Sequence, residues 1–464
     1  MNLYPDQVET IERVREAMRH SKSVLLQSPT GSGKTAMAID MIRRAKNKEN
    51  RIIFVVPRKD LLEQTSETFT RLGIAHSYIA AGKPYNPFAH VFVGMVETMA
   101  RRVANLPDAP LLIVDEARYG EKAMDAVIGR YKASGSWILG LDATPWKLSG
   151  KGLGCWYDTM VHGRSVAWLI ENKRLSDYRY FHGRTKIDLS KVKITAGDYA
   201  KGEIAGFMEH QGVIIGDCVK DYQQRCAGRI HIVRCASIKH SQMVAQRFRD
   251  AGIEAMHVDG ETTMPARRRI FQAFARREIL VLTFCELLGF GFDLSQSAGM
   301  DVCIESGSDL RPTKSLAGQM QFWGRMLRYK ETPAIIQDHV NNCIEHGLPC
   351  DEREWTLEDR IQGKSGDSAR ASPVRSCSVC YFVHSPRPSC PNCGHVYPIQ
   401  SRVVASMDGE LSEIERAPLK LSSEQYERLN EKIAVLTKRG LGAGVPAWRV
   451  KAWATKKALK EIVS

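Results

Sequence analysis

The chain has 464 residues, with 66 Lys and Arg against 52 Asp and Glu and a formal charge of +14. That length predicts about three domains, and the excess of positive charge points to a polyanionic partner. No apolar run approaches the roughly 18 residues of a membrane span, and the start leads directly into a helical pattern (Ile11, Val14, Ala17, Met18), so a cytoplasmic protein without membrane contact is expected.

An apolar run, Ser23–Gln27, reads as a buried strand and is followed by Ser28-Pro29-Thr30-Gly31-Ser32-Gly33-Lys34-Thr35 and a helical pattern from Ala36. Strand, glycine-rich turn and Lys-Thr opening a helix is the context of a phosphate-binding loop. Glycines let the backbone wrap an anion, and the helix N-terminus adds unpaired N–H donors. Thr30, Gly31, Ser32 and Gly33 supply the cradle, Lys34 the charge for the β and γ phosphates, and the Thr35 hydroxyl a ligand for Mg²⁺. Ser28 stands where the strict pattern begins with Gly.

Four more apolar runs follow. Arg51–Val56 ends in Pro57-Arg58, then Val91–Gly94 precedes Val96-Glu97-Thr98. Leu111–Val114 runs into Asp115-Glu116-Ala117-Arg118, and Trp137–Leu141 into Asp142-Ala143-Thr144-Pro145. Short apolar strands alternating with helices predict a parallel sheet with crossovers, whose chemistry lies at the carboxyl ends of the strands. Asp115 at such an end can hold Mg²⁺ through water, and Glu116 can orient and deprotonate an attacking water.

In this order, Ser28–Thr35, Asp115–Arg118 and Ala143-Thr144-Pro145 resemble motifs I, II and III of the superfamily 2 DEAD/DEAH-box helicases. The resemblance covers about residues 1–345. It implies two RecA-like α/β domains with ATP between them, Gln7 as the adenine-reading glutamine, and Pro57, Arg58 and Thr98 as contacts to a nucleic-acid backbone. Arg118 departs from the family, which has His or Asp there to couple hydrolysis to movement.

Residues 146–228 are less regular; 188–202 is polar and loop-like. Alternation returns with Ile230–Val233, Ala255–Val258 and Ile279–Thr283, a second α/β layer without a second phosphate loop. Arg234 interrupts the first of these runs, where an apolar residue is expected. Thr283 through Asp293 resembles motif V, which senses nucleotide and contacts the backbone. Gln321-Phe322-Trp323-Gly324-Arg325-Met326-Leu327-Arg328 matches motif VI. Continued as a helix, it puts Gln321, Arg325 and Arg328 on one face, where the guanidinium groups can stabilise charge on a γ-phosphate held by the first domain.

Residues 351–375 are charged, then rich in Gly and Ser, as in a linker. Cys377, Cys380, Cys390 and Cys393 form two C-x-x-C pairs nine residues apart, the pattern of a small zinc ribbon with a closed, structural Zn²⁺ site. The compact insert and this C-terminal zinc ribbon resemble those of phage or bacterial members of the superfamily. His384 and His395 are expected at the surface. In the tail, Tyr426, Leu429, Ile433 and Leu436 predict one helical stripe. Trp448 and Trp453 among lysines predict a second, read as helix packing rather than a nucleic-acid grip.

The expected fold class is therefore α/β: two tandem RecA-like phosphate-loop domains with parallel sheets, a small zinc ribbon and a helical tail. The expected domains are 1–165, a connector with an insert at 166–228, 229–350, a linker at 351–375, the ribbon at 376–398 and the tail at 399–464. The expected activity is nucleic-acid-dependent ATP hydrolysis driving a helicase or translocase. DNA is favoured over RNA because Gln321 replaces the His-Arg opening of the RNA-dedicated members. A duplex translocase that does not separate strands and a non-hydrolysing ATP-gated clamp remain alternatives. Protein partners are not indicated.

Overall fold

The structure is a computed structural model and describes residues 3–182, 188–195, 197–210, 212–286, 294–359, 375–397 and 423–440, with 454 and 457. The chain divides into a large unit, residues 1–397, and a second unit, residues 398–464.

The first sheet of the large unit is built in alternation. Its elements are α1 (Pro5–His20), β1 (Ser23–Gln27), α2 (Lys34–Lys46), β2 (Ile52–Val56), α3 (Lys59–Arg71), β3 (Ser77–Ile79), β4 (Val91–Met95), α4 (Val96–Arg101), β5 (Leu111–Asp115), α5 (Glu121–Ala133), β6 (Trp137–Asp142) and β7 (Thr159–His162). The seven strands lie in the order β3-β4-β2-β5-β6-β1-β7, all parallel. Covering helices on both faces explain the continuous apolar runs: every residue of β1 and β2 is buried. Val24, Leu26, Phe54 and Val56 face Met37, Ile39 and Phe69 in one core. Leu25, Ile53 and Val55 face Met124, Val127 and Tyr131 in the other. Each such aliphatic side chain contributes about 2 kcal/mol on burial.

The second sheet follows α6 (Val166–Glu171). It comprises β8 (Tyr178–His182), the hairpin β9 (Ile194–Thr195) and β10 (Asp198–Tyr199), α7 (Lys201–Glu209), α8 (Gly212–Arg225), β11 (His231–Arg234), α9 (Ile238–Asp250), β12 (Ala255–Val258), α10 (Met264–Ala275), β13 (Val281–Phe284), α11 (Leu294–Ala298), β14 (Ser306–Asp309), α12 (Leu316–Met326), β15 (Ala334–Asp338) and α13 (Asn342–His346). Its six strands run β12-β13-β11-β14-β15-β8, all parallel. The two sheets are the tandem RecA-like layers expected from the sequence.

Residues 166–228, expected as a connector, supply β8 as an edge strand of this second sheet, paired with β15. As an edge strand it is buried only in part, at Tyr180 and Phe181, so its sequence lacks the apolar run that marks a central strand. The polar stretch 188–202 contains the β9–β10 hairpin. Gly197 within it lies so close to Leu148 that an added Cβ would stand 2.1 Å from the Leu148 carbonyl oxygen.

Residues 351–359, expected to begin a linker, run back onto the first sheet's layer. Gly154 N–H donates to the Leu357 carbonyl at 2.8 Å, and Gly152 N–H to Asp359 Oδ1 at 2.9 Å. The rings of Trp146 and Trp355 sit 4.9 Å apart. At its other end Arg353 donates to the His346 and Leu348 carbonyls, both at 2.9 Å. Charged side chains on a docked strap look the same in sequence as those of a free linker.

The ribbon carries β16 (Arg375–Ser376) and β17 (Val383–His384). It rests on β8 through a Phe181–Phe382 bridge and ring contact at 5.7 Å. In the second unit α14 (Ser423–Gly440) forms, with Ile433 and Leu436 half-buried. The Trp448 and Trp453 stripe lies outside the described residues. No helix among the described residues is long and apolar enough to cross a membrane.

Candidate active site between the two sheets

The phosphate loop joins β1 to α2, and its conformation follows from two glycines. Gly31 and Gly33 have φ of 87° and 88°, a left-handed geometry that a side chain disfavours. Ser28, in place of the first Gly, donates its hydroxyl to Ser32 Oγ at 2.7 Å and so braces the turn. Gln7 on α1 reaches the same loop, donating to the Ser32 carbonyl at 3.0 Å while its Oε1 accepts from Tyr4 N–H. Lys34 Nζ is folded inward onto the Ser28 and Pro29 carbonyls, at 2.8 and 3.1 Å. Burial lowers its pKa, while Glu116, Asp115 and Asp142 oppose the shift.

Asp115 ends β5, and Glu116 follows it with φ of 49°. Burial pushes the Asp115 carboxyl up to about 7; Glu116 adds to the rise and Lys34 opposes it. The departure at Arg118 has a partner. Its guanidinium is buried in ion pairs with Asp142 and with Glu116, the latter at 2.8 Å. Its backbone N–H donates to Asp142 Oδ2 at 2.9 Å. Asp142 also accepts the Thr144 N–H at 2.9 Å. Burial works against the Arg118 cation, but Asp142 and Glu116 raise its pKa above the ordinary value. One guanidinium thus binds the segment after β5 to the end of β6 and orients Glu116. Sequence reasoning assigned no role to Asp142. The available signal was an acid beside Ala143-Thr144-Pro145 answering a base beside Glu116.

The second sheet's layer delivers α12 to this loop. Gln321 Nε2 donates to both Glu116 oxygens, at 3.2 and 3.3 Å. Gly324 lies against Thr30, where a Cβ would stand 2.5 Å from Thr30 Cγ2; this approach, not a turn, requires that glycine. Arg325 is buried in α12. Arg328 falls beyond the helix, which ends at Met326, so it does not share the helical face of Gln321 and Arg325 as expected. It nonetheless lines a cavity of about 1170 Å³ between the two layers with Thr35, Asp115, Gln64, Arg268 and Gln296. Gln296 of α11 also crosses the gap, donating to the Gln64 carbonyl at 2.5 Å.

The candidate nucleic-acid contacts separate. Pro57 and the exposed Arg58 follow β2, and Thr98 is buried in α4 after β4, both at the carboxyl edge of the first sheet. Thr283 does not reach a surface. It is fully buried in β13 and its hydroxyl donates to the Ser241 carbonyl at 2.9 Å, because the centre of a covered sheet leaves no exposed side. Asp293 lies outside the described residues.

Two groups implied by the sequence can be tested against these contacts. For MgATP, the left-handed glycine cradle, an inward ammonium and a hydroxyl–carboxylate pair bordering one cavity fit a triphosphate with its cation. Thr144 Oγ1 and Gln321 Oε1 fit as well, being buried with no hydrogen-bond partner among the described residues. For zinc, the four sulfurs of Cys377, Cys380, Cys390 and Cys393 all lie within 4.8 Å of one another. The Cys377–Cys393 and Cys380–Cys390 pairs are each 3.6 Å apart, close to the edge of about 3.8 Å that Zn–S bonds of ~2.3 Å require of a tetrahedron. His384, expected at the surface, is buried in the ribbon and bonded to the Tyr397 hydroxyl at 2.6 Å.

Comparisons with known proteins agree with this architecture. Residues 1–147 match the family described as type III restriction enzyme, res subunit. A 51.5 kDa protein of Lactococcus phage (isolate 7-9) is 33% identical over 410 residues, 86% of this chain and 85% of that one. A Saccharomyces cerevisiae relative, IRC3, named as an ATP-dependent helicase, is 25% identical over 68% of this chain; the chain spans 48% of its length. Among solved structures, the helicase MrfA bound to DNA superposes with a TM-score of 0.51 at 13% identity, over 73% of this chain and 49% of that one. The chain belongs to the superfamily 2 helicases.

Proposed function

We propose that the protein is a nucleic-acid-dependent ATPase that hydrolyses ATP between its two RecA-like layers and uses the cycle to move along or separate DNA strands. The observation that carries this reading is the Gln321–Glu116 hydrogen bond, 3.2 Å across the cleft. It joins the carboxylate suited to orient a water to the helix that carries Arg325, so the reacting assembly needs both layers together. Lys34 and the loop from Thr30 to Thr35 hold the phosphates, with Gln7 beside them. Thr35 and Asp115 hold Mg²⁺, which when bound neutralises phosphate charge. Glu116 positions the attacking water and accepts its proton. Arg325 and Arg328 stabilise charge on the transferred phosphoryl group. Departure of product removes what the second layer grips, and the cleft loosens.

DNA is the proposed track, supported by Gln321 opening motif VI and by the net charge of +14. Phosphate contacts position a protein without reading bases, so sequence preference is expected to be weak. Single-stranded DNA should stimulate ATP turnover more than RNA of equal length, and a forked duplex should be unwound. Equal stimulation by RNA would remove the DNA assignment. Turnover with triplex displacement but no strand separation would establish the duplex translocase instead.

The ribbon is proposed to hold one structural Zn²⁺ on Cys377, Cys380, Cys390 and Cys393. Metal analysis should find one equivalent of zinc, lost in Cys377→Ser; full occupancy in that variant would disprove the ligand set.

A further inference from the structure

The arginine that interrupts the strand at position 234 sits in a built site. Arg234 ends β11 and is buried. Its Nε donates to Asp309 Oδ1 at 2.9 Å and its Nη2 to Oδ2 at 2.5 Å, a bidentate pair with the carboxylate that ends β14. Nη2 also reaches Gln319 Oε1, and Nη1 donates to the Gly318 carbonyl at 3.1 Å. The guanidinium carbon stands 4.6 Å from the centre of the Phe322 ring. Asp309 is held in turn by Asn342 at 2.9 Å and Gln319 at 3.1 Å.

Gly318, Gln319 and Phe322 all belong to the first two turns of α12. At about 100° per residue, Gln319 and Phe322 lie on one side of that helix and Gln321 and Gly324 on the other, with Arg325 between them, about 60° round from Phe322. Arg234 grips the inner side. The outer side touches Glu116 and Thr30. A charged fork at the end of a strand is a costly way to fill a core. It also does what a packed aliphatic cannot, since its directional bonds set both the rotation and the axial position of the helix they hold.

We propose that Arg234 is a positioning residue for the interdomain site: it fixes α12 so that Gln321 meets Glu116 and Arg325 faces the cleft. This rests on the ATPase reading above. The side chains of Arg234 and Asp309 bond to each other, to α12 and to Asn342, so they act on the cleft through the helix.

Arg234→Lys tests it, because a lysine keeps the charge beside Asp309 but cannot form the fork to Gln319 and Gly318. In the purified full chain, the variant should melt within a few degrees of the wild type and bind ATP with KM changed by less than about threefold. Its kcat should fall by about tenfold or more. Amide exchange in residues 316–326 should accelerate while that of 34–46 is unchanged. With Gln321→Ala added, the double variant should lose less than the product of the two single losses, because both changes remove the Gln321–Glu116 alignment. Unchanged kcat and unchanged exchange in a folded Arg234→Lys protein would overturn the inference, as would losses that multiply in the double variant. If Arg234→Lys does not fold, Arg234→Met with Asp309→Asn, which leaves no buried charge unpaired, takes its place with the same expected pattern. A wild-type protein that does not turn over ATP contradicts the ATPase reading; the exchange measurement still decides whether Arg234 holds α12.

Discussion

Arg118 shows how a departure from a family pattern resolves at the scale of single residues. Its charge would be expensive in the floor of the cleft if Asp142 were not there to meet it. Removing one member of a buried pair leaves the other uncompensated, at a cost of about 3–5 kcal/mol. Arg118→Ala should therefore melt well below the wild type, and Arg118→Ala with Asp142→Asn should recover most of the loss. Equal melting of the single and double variants would contradict the pairing. The geometry of the glycine turn at 28–35, of Asp115-Glu116 at the end of β5 and of the four-cysteine cluster was legible because each is a local pattern whose spacing alone defines it. The Arg118–Asp142 pair was not, since its members lie on separate strand ends that become neighbours only when β5 pairs with β6. Arg234 was visible as an anomaly, but its partners at 309, 318 and 319 come from distant segments.

Among the elements, central strands were readable and peripheral ones were not. β1, β2 and β5 are covered on both faces, so their apolar runs stand out. β8 is a half-exposed edge strand, and its sequence reads as a connector. The strap at 351–359 has no periodicity, and its docking is written instead into two glycines of the first layer. An added Cβ on Gly152 would stand 2.1 Å from the Leu357 carbonyl oxygen, and on Gly154 3.0 Å from it. Backbone cannot yield as a flexible side chain can. Gly152→Ala should displace the strap, seen as faster amide exchange and proteolysis within 351–359, with ATP binding unaffected. Unaltered protection there would show that the strap is not held by this contact. The same reasoning explains Gly324, whose bare Cα lets α12 approach Thr30.

At the scale of the whole molecule the two layers differ in their response to acid. The second layer buries His231, His240 and His346, whose pKa values burial lowers to about 3, 4 and 4. The first layer buries no histidine among its described residues. Each of the three is neutral when folded but takes up a proton near pH 6.5 when unfolded. The unfolded chain thus binds more protons below that pH, and stability falls as pH drops from about 6.5 toward 4. The second layer should lose tertiary structure first, observed as exchange of β11 and α9 amides before those of β1 and β2. Simultaneous loss in both layers would contradict this.

The central claim is that ATP is hydrolysed by residues from both layers, and steady-state turnover with nucleotide binding measured on the same samples tests it most directly. With single-stranded DNA present, wild-type protein should turn over ATP. Lys34→Ala should lose both binding and turnover. Glu116→Gln and Arg325→Ala should keep binding within a few-fold and lose turnover by about 100-fold or more. Full turnover in Arg325→Ala, or turnover indifferent to Lys34 and Glu116, would contradict an active site shared between the two layers.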